Sequence, residues 1–242
     1  MQILVINPNT TQEMTNDIGE AASRYARVGT EIETVSPEWG PRSIEGHYED
    51  MVAAVAMLEV VRDRAADFDA VIIACYGDPG LAAAREISPV PVVGIAEASM
   101  LMACTVAHSF SIVTILPRVK PMLEDVVRLH GLEARCASIR TTPLSVLDCE
   151  RDPAAAGRAI VGAGRQAIEE DGAEAICLGC AGMGPLDKQI QAELGVPVLD
   201  GTACAVKLVE SILDYGLFTS RVAAYKAPEP KEYLKYREPV AR

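Results

Sequence analysis

The chain has 242 residues, half of them hydrophobic, a net charge of −12 and a pI near 4.8. That is enough for one large α/β domain or two lobes of about 100 to 120 residues, each burying its own core. No cluster of Lys and Arg exists that could neutralise phosphates or meet an anionic lipid surface, and no apolar run approaches the roughly 20 residues that cross a bilayer; both facts argue against nucleic-acid and membrane partners and point to the cytoplasm.

Taken in order, ILVI at Ile3 to Ile6 reads as a buried strand that Asn7 and Pro8 break, and Thr10 or Thr11 caps a helix running through Met14, Ile18 and Ala22. TEIETV is a second strand, followed by the loop PEWGPRSIEGH with Trp39, Ser43, Glu45 and His47. A helix from about Tyr48 to Ala66 places Met51, Val55, Leu58 and Val61 or Val60 on one stripe. Val71 to Ile73 is a continuous apolar run of the kind buried on both faces of a sheet; it ends at Cys75, and Gly77, Pro79 and Gly80 then turn the chain into the helix LAAARE. PVVGI is a fourth strand, and Ala96 to Ala107 a helix in which Met100 and Met102 fill core or interface gaps.

The pattern then restarts. FSIVTIL is a buried strand stopped by Pro117, followed by a helix from Lys120 to Leu129, the strand ARCASIR, a loop through Thr141 to Asp152 and a long helix from Pro153 to Asp171. Ala175 to Leu178 is another buried run, ended by Cys180 and broken by Gly182, Gly184 and Pro185. A helix, the strand PVLD, a helix from about Thr202 to Tyr215 and an extended tail, APEPKEYLKYREPV, complete the chain. The match between the two halves, down to PVPVVGI after Cys75 and GVPVLDG after Cys180, is an internal duplication. Strands alternating with helices imply an α/β fold of two pseudosymmetric lobes, each a four-stranded parallel sheet flanked by helices, with the active site in the cleft between them. The expected division is residues 1–98 plus 205–242 for the lobe carrying Cys75, and 99–204 for the lobe carrying Cys180.

Seven cysteines in a chain of this size read as reduced thiols, and Cys104, Cys136, Cys149, Cys177 and Cys204 as small core residues. Cys75 and Cys180 differ, because each stands at the carboxyl end of a central strand, the edge where open parallel sheets bind ligands. A helix N-terminus aimed at Cys75 is expected to favour its thiolate. Two thiols on opposite walls of a cleft suit inversion of a carbon acid: one takes a proton from one face while the other returns a proton to the opposite face, and no metal or coenzyme is required. Cysteine, with an ordinary pKa of about 8.5, lies near enough to neutrality for both roles, and the pair titrates as a unit.

INPNT, SIEGH, CYGDPGL, FSIVTILPR, LGCAGM and GVPVLDG, in that order over nearly the whole chain, resemble the hydantoin racemases and related allantoin racemases of the aspartate/glutamate racemase superfamily. The resemblance implies that Cys75 and Cys180 are the catalytic pair, that a small-molecule substrate with a hydantoin ring is inverted at C5, that no metal or other cofactor takes part, and that the chain forms a homo-oligomer. Backbone N–H groups at Tyr76, Gly77 and Asp78, through Gly80, and at Ala181 and Gly182, through Gly184, are candidate donors to the enolate oxygen. Asn7, Thr114 and Ser43 are candidates to hydrogen-bond the ring, with capping and turn satisfaction as the structural alternative.

Other readings differ in what they need. Cys177 and Cys180 form C-x-x-C, but a structural zinc needs about four ligands, and His47, His108 and His130 supply no pair; a dithiol redox role remains a separate possibility. An aspartate or glutamate racemase wants cationic clamps for its carboxylates, with Arg42, Arg85 and Arg118 as candidates. Superfamily decarboxylases use one cysteine. A non-catalytic two-lobed binding protein needs neither thiol. Hydantoin and allantoin share the ring and differ only in the 5-substituent.

Overall fold

The computed structural model describes residues 1–144, 151–181 and 186–232. In chain order its elements are β1 (Gln2–Ile6), α1 (Gln12–Tyr25), β2 (Glu31–Val35), α2 (His47–Arg64), β3 (Ala70–Ile73), α3 (Leu81–Ile87), β4 (Val92–Gly94), α4 (Ile95–Val106), β5 (Phe110–Ile115), α5 (Lys120–Leu129), β6 (Cys136–Thr142), α6 (Pro153–Asp171), β7 (Ala175–Leu178), α7 (Asp187–Leu194), β8 (Val198–Asp200) and α8 (Gly201–Asp214). Cys149 and Gly182 lie outside the described residues, as does the tail beyond residue 232.

Two four-stranded sheets form, ordered β2-β1-β3-β4 and β6-β5-β7-β8, and every pairing is parallel. In each sheet the chain goes first to one side of the opening strand and then to the other. The point of reversal therefore falls between β1 and β3, and between β5 and β7, and it is there that neighbouring connections diverge and leave a crevice. Cys75 and Cys180 each stand two residues beyond the last residue of the third strand, on that crevice.

Alternation along β1 divides the core. Ile3 and Val5 face a cluster that continues through Phe110, Ile112 and Ile176 of the second sheet, whereas Leu4 and Ile6 pack with Met57, Val61 and Leu81 on the opposite face. The first of these clusters spans both sheets, and α4 and α8, packed on each other, line the seam.

The stripe expected on α2 is corrected. Met51 and Val55 are exposed, at 62% and 45%, and the buried face carries Asp50, Ala53, Ala54, Met57 and Val61. This helix has apolar residues around most of its circumference, so periodicity does not select a face; the small side chains Ala53 and Ala54 let α2 approach the sheet closely. Further along the chain, the tail crosses α3 with its described part: Arg221 donates to the carbonyls of Arg85 and Ser88, and a single 3-10 turn spans Ala223–Tyr225. No helix among the described residues is long and apolar enough to cross a membrane.

Candidate active site

A cleft with about 610 Å³ of empty space, counted to its open mouth, lies where the carboxyl edges of the two sheets meet. Cys75 and Cys180 both line it, with Ser43, Tyr76, Gly77, Thr114 and Ala181. Its apolar surface comes from Met14, Ile44, Ile115, Leu116, Val119 and Met122. Among the described residues no lysine or arginine lines it, and no three His, Cys, Asp or Glu side chains converge as a metal site.

The turn after β3 is held from behind. Asp78 adopts φ 45°, unusual for a residue with a side chain, and its carboxylate accepts from Ala96 N at 3.1 Å and Glu97 N at 2.8 Å. Asp78 thus caps α4 from a distance, and the stabilisation of that cap offsets the strain of the turn. Within the turn Asp78 N donates to the Cys75 carbonyl, while Gly77 N–H hydrogen-bonds the Cys75 sulfur. On the facing wall, Thr114 Oγ1 donates to the Gly179 carbonyl at 2.9 Å, and Gly179 N donates to the Val113 carbonyl. The residue before Cys180 is therefore tied to β5 from two directions. Leu116, at the cleft, also has positive φ, 53°.

Several sequence-based expectations change here. Asn7 does not line the cleft: its amide nitrogen donates to Asn9 Oδ1 and Thr15 Oγ1, both at 2.9 Å, and Asn9 takes its place on the wall. Asp78 faces α4, not the cleft. The Gly77 and Asp78 N–H groups, expected to serve an enolate, are already engaged, and Pro79 has none to offer. Thr114 lines the cleft, but its hydroxyl proton goes to Gly179. Among the described residues Ser43 has no hydrogen-bond partner, nor has Glu45, a cleft carboxylate that sequence reasoning passed over. Its signal was present in SIEGH, where a charged residue sits among small and apolar ones in a loop.

Cys75 corrects the electrostatic expectation as well. Burial pushes its thiol well above the ordinary cysteine value; the Gly77 N–H opposes this, and the negative charges of Asp50, Cys180 and Asp78 add to it. Helix α3 has only seven residues, Leu81–Ile87, and its field does not overcome the loss of hydration. That Cys180 acts on Cys75 at all brings the two thiols within electrostatic reach across the cleft, so that each thiolate disfavours the other. Cys177, the other half of the C-x-x-C, is fully buried and bonds Tyr76 and Ser99 in the core. Arg85 is committed to Glu97 and the Val92 carbonyl, behind the cleft.

Comparison with known proteins agrees with this architecture. The Asp/Glu/Hydantoin racemase family model matches residues 3–209. A hydantoin racemase of Pseudomonas sp. (strain NS671) is 50% identical over 235 residues, covering 97% of this chain and 94% of that one. The allantoin racemases of Pseudomonas fluorescens and Klebsiella pneumoniae superpose with TM-scores of 0.94 and 0.92, each at 46% identity, covering 97% and 96% of this chain and 100% and 95% of theirs. With its duplicated lobes and the match over nearly its whole length, the chain belongs to the Asp/Glu/Hydantoin racemase family and is a racemase, an isomerase.

Proposed function

We propose that this racemase inverts C5 of 5-substituted hydantoins whose substituent is apolar, by proton transfer between Cys75 and Cys180. The observation that carries the reading is the pair of thiols on facing walls of one largely apolar cleft. One thiolate removes the C5 proton; the resulting enolate spreads over the adjacent ring carbonyl, and the opposite thiol gives its proton to the other face. Atoms and charge balance, and no metal or coenzyme enters the step. Ser43, whose hydroxyl has no partner among the described residues, suits a ring carbonyl, and the Glu45 carboxylate suits a ring N–H. Met14, Ile44, Val119 and Met122 offer an apolar 5-substituent burial of about 25 cal/mol for each Å² covered, whereas the ureido group of allantoin would lose water there without gaining partners. A free amino-acid carboxylate would meet Glu45 and, among the described residues that line the cleft, no cation.

The test is incubation in heavy water with chelator, on each enantiomer of 5-benzylhydantoin and separately of allantoin, following optical rotation and C5 deuterium. Loss of rotation with deuterium uptake is expected on 5-benzylhydantoin, at a higher kcat/KM than on allantoin. Cys75→Ser and Cys180→Ser are each expected to abolish racemisation. Racemisation by either variant at the wild-type rate refutes the two-thiol step, and preference for allantoin refutes the apolar-substituent reading.

A further inference from the structure

Two segments reach the cleft from opposite sides. Ser43, Ile44 and Glu45 come from the loop before α2, in the half built on the first sheet; Leu116 and Val119 come from the turn after β5, in the half built on the second. The first segment is fastened only at its ends. Thr10 N donates to the Pro41 carbonyl at 3.0 Å and Thr11 Oγ1 to the Arg42 carbonyl at 2.6 Å, while the Gly46 carbonyl accepts from Asp50 N in the first turn of α2. Between those points no hydrogen bond among the described residues holds Ser43, Ile44 or Glu45. A stretch of chain without such bonds moves at little cost.

Beside each segment stands a charge without a partner. Glu49 Oε2 is shut away from water and accepts no hydrogen bond, which is costly for a carboxylate. Arg118 is exposed, does not line the cleft and makes no hydrogen bond or ion pair among the described residues. Both groups border one space. Arg118 Nη2 and Glu49 Oε2 lie 2.8 and 3.1 Å from the position that a Cβ on Gly46 would take. Gly46 has extended backbone, φ −177°, which any residue adopts, so it is the room beside it that calls for glycine.

We infer that Arg118 is a positioning residue: once a hydantoin occupies the cleft, its guanidinium moves into this space, pairs with Glu49 across the mouth, and holds Ser43 and Glu45 against the ring. This rests on the reading above, in which Ser43 and Glu45 meet the ring. A guanidinium has donors for both carboxylate oxygens, and filling the cleft removes water that otherwise competes for them. The pair then adds to substrate binding. It touches no reacting atom, so it favours the bound ground state and the transition state alike, and its signature falls in KM.

The experiment is steady-state racemisation kinetics on whichever of 5-benzylhydantoin and allantoin the wild type turns over faster, so that a wrong substituent does not count against the pair. Arg118→Met and Glu49→Gln are each expected to raise KM about tenfold, with kcat within about twofold of the wild type. The double variant is expected to match the singles, because either change removes the whole pair, and Arg118→Lys to recover part of the loss. Gly46→Ala, which fills the space, is expected to raise KM likewise and to add nothing to Glu49→Gln. Trypsin cleavage after Arg42 gives a second readout. Saturating racemic substrate, which the enzyme does not consume, is expected to protect the Arg42–Ser43 bond in the wild type and not in Glu49→Gln. Circular dichroism confirms the fold of each variant. Unchanged KM in either single variant, multiplied effects in the double, a loss confined to kcat, or the same degree of protection in both proteins overturns the inference. None of these results touches the two-thiol step, which fails only if Cys75→Ser or Cys180→Ser racemises.

Discussion

The Tyr76 hydroxyl meets Ser99 Oγ at 2.8 Å inside the core, and Cys177 hydrogen-bonds both. Tyr76 directly follows Cys75, Cys177 lies on β7 three residues before Cys180, and Ser99 lies on α4 at the seam between the lobes. This buried polar knot thus joins the backs of both cysteine turns to one helix. Tyr76→Phe removes the hydroxyl that meets Ser99, whose own proton still goes to the Ala96 carbonyl, and is expected to cost about 1 kcal/mol of stability, read by denaturant unfolding. Cys177→Ser keeps a donor and acceptor in place and is expected to cost only about 1 kcal/mol, with racemisation retained. Loss of activity in a folded Cys177→Ser protein would return attention to the C-x-x-C.

Gly94 has the opposite role, leaving room. A Cβ there would stand 2.2 Å from Asp78 Cγ, so Gly94→Ala drives the Asp78 carboxylate off the N-terminus of α4 and loosens the turn that carries Cys75. A displacement of about 1 Å at a reacting group can cost about 100-fold in rate. Steady-state kinetics of Gly94→Ala are expected to show a kcat loss of that order, with circular dichroism unchanged.

Arg85 and Glu97 form an ion pair whose side chains are 16% and 15% exposed, and the Tyr225 ring lies 5.7 Å from the guanidinium carbon. Arg85→Met leaves the Glu97 carboxylate poorly hydrated without its cation and is expected to cost about 2–4 kcal/mol. Because Arg85 sits behind the cleft, KM for a hydantoin is expected to hold in the folded variant. A large rise in KM alone would restore Arg85 as a substrate clamp.

Asp200 predicts a pH dependence of stability. Burial raises its carboxyl to about 6 from an ordinary 3.8; the Ala203 N–H that it caps opposes the rise, and Asp187 adds to it. The folded chain therefore holds this proton more tightly than the unfolded chain does. As pH climbs from 3.8 to about 6 the unfolded state ionises first, so Asp200 lowers stability over that window. Asn at this position caps α8 as well and does not titrate. Asp200→Asn is expected to gain on the wild type by about 4 °C or more in Tm across the same pH range. A constant difference between the two melting curves would refute the shift.

How much the chain declares of itself follows from the range of the forces involved. Apolar runs such as Val71 to Ile73 and Ile176 to Leu178, ended by glycine and proline, mark buried parallel strands because backbone sterics and burial act within a few residues. Their repetition made the two lobes, the sheet edges and the special standing of Cys75 and Cys180 legible in the sequence alone. What tertiary structure decided is where each polar group goes. Asn7 and Asp78 sit in motifs beside the cleft, yet the nearest unsatisfied backbone and side-chain groups claim them first, because a buried donor or acceptor must pair locally. Among the described residues Glu45 and Ser43 have no hydrogen-bond partner and so face the cleft uncommitted. The exposed stripe of α2 and the raised proton affinity of Cys75 both depend on what packs against them from distant parts of the chain, and burial by such neighbours leaves no local pattern to read.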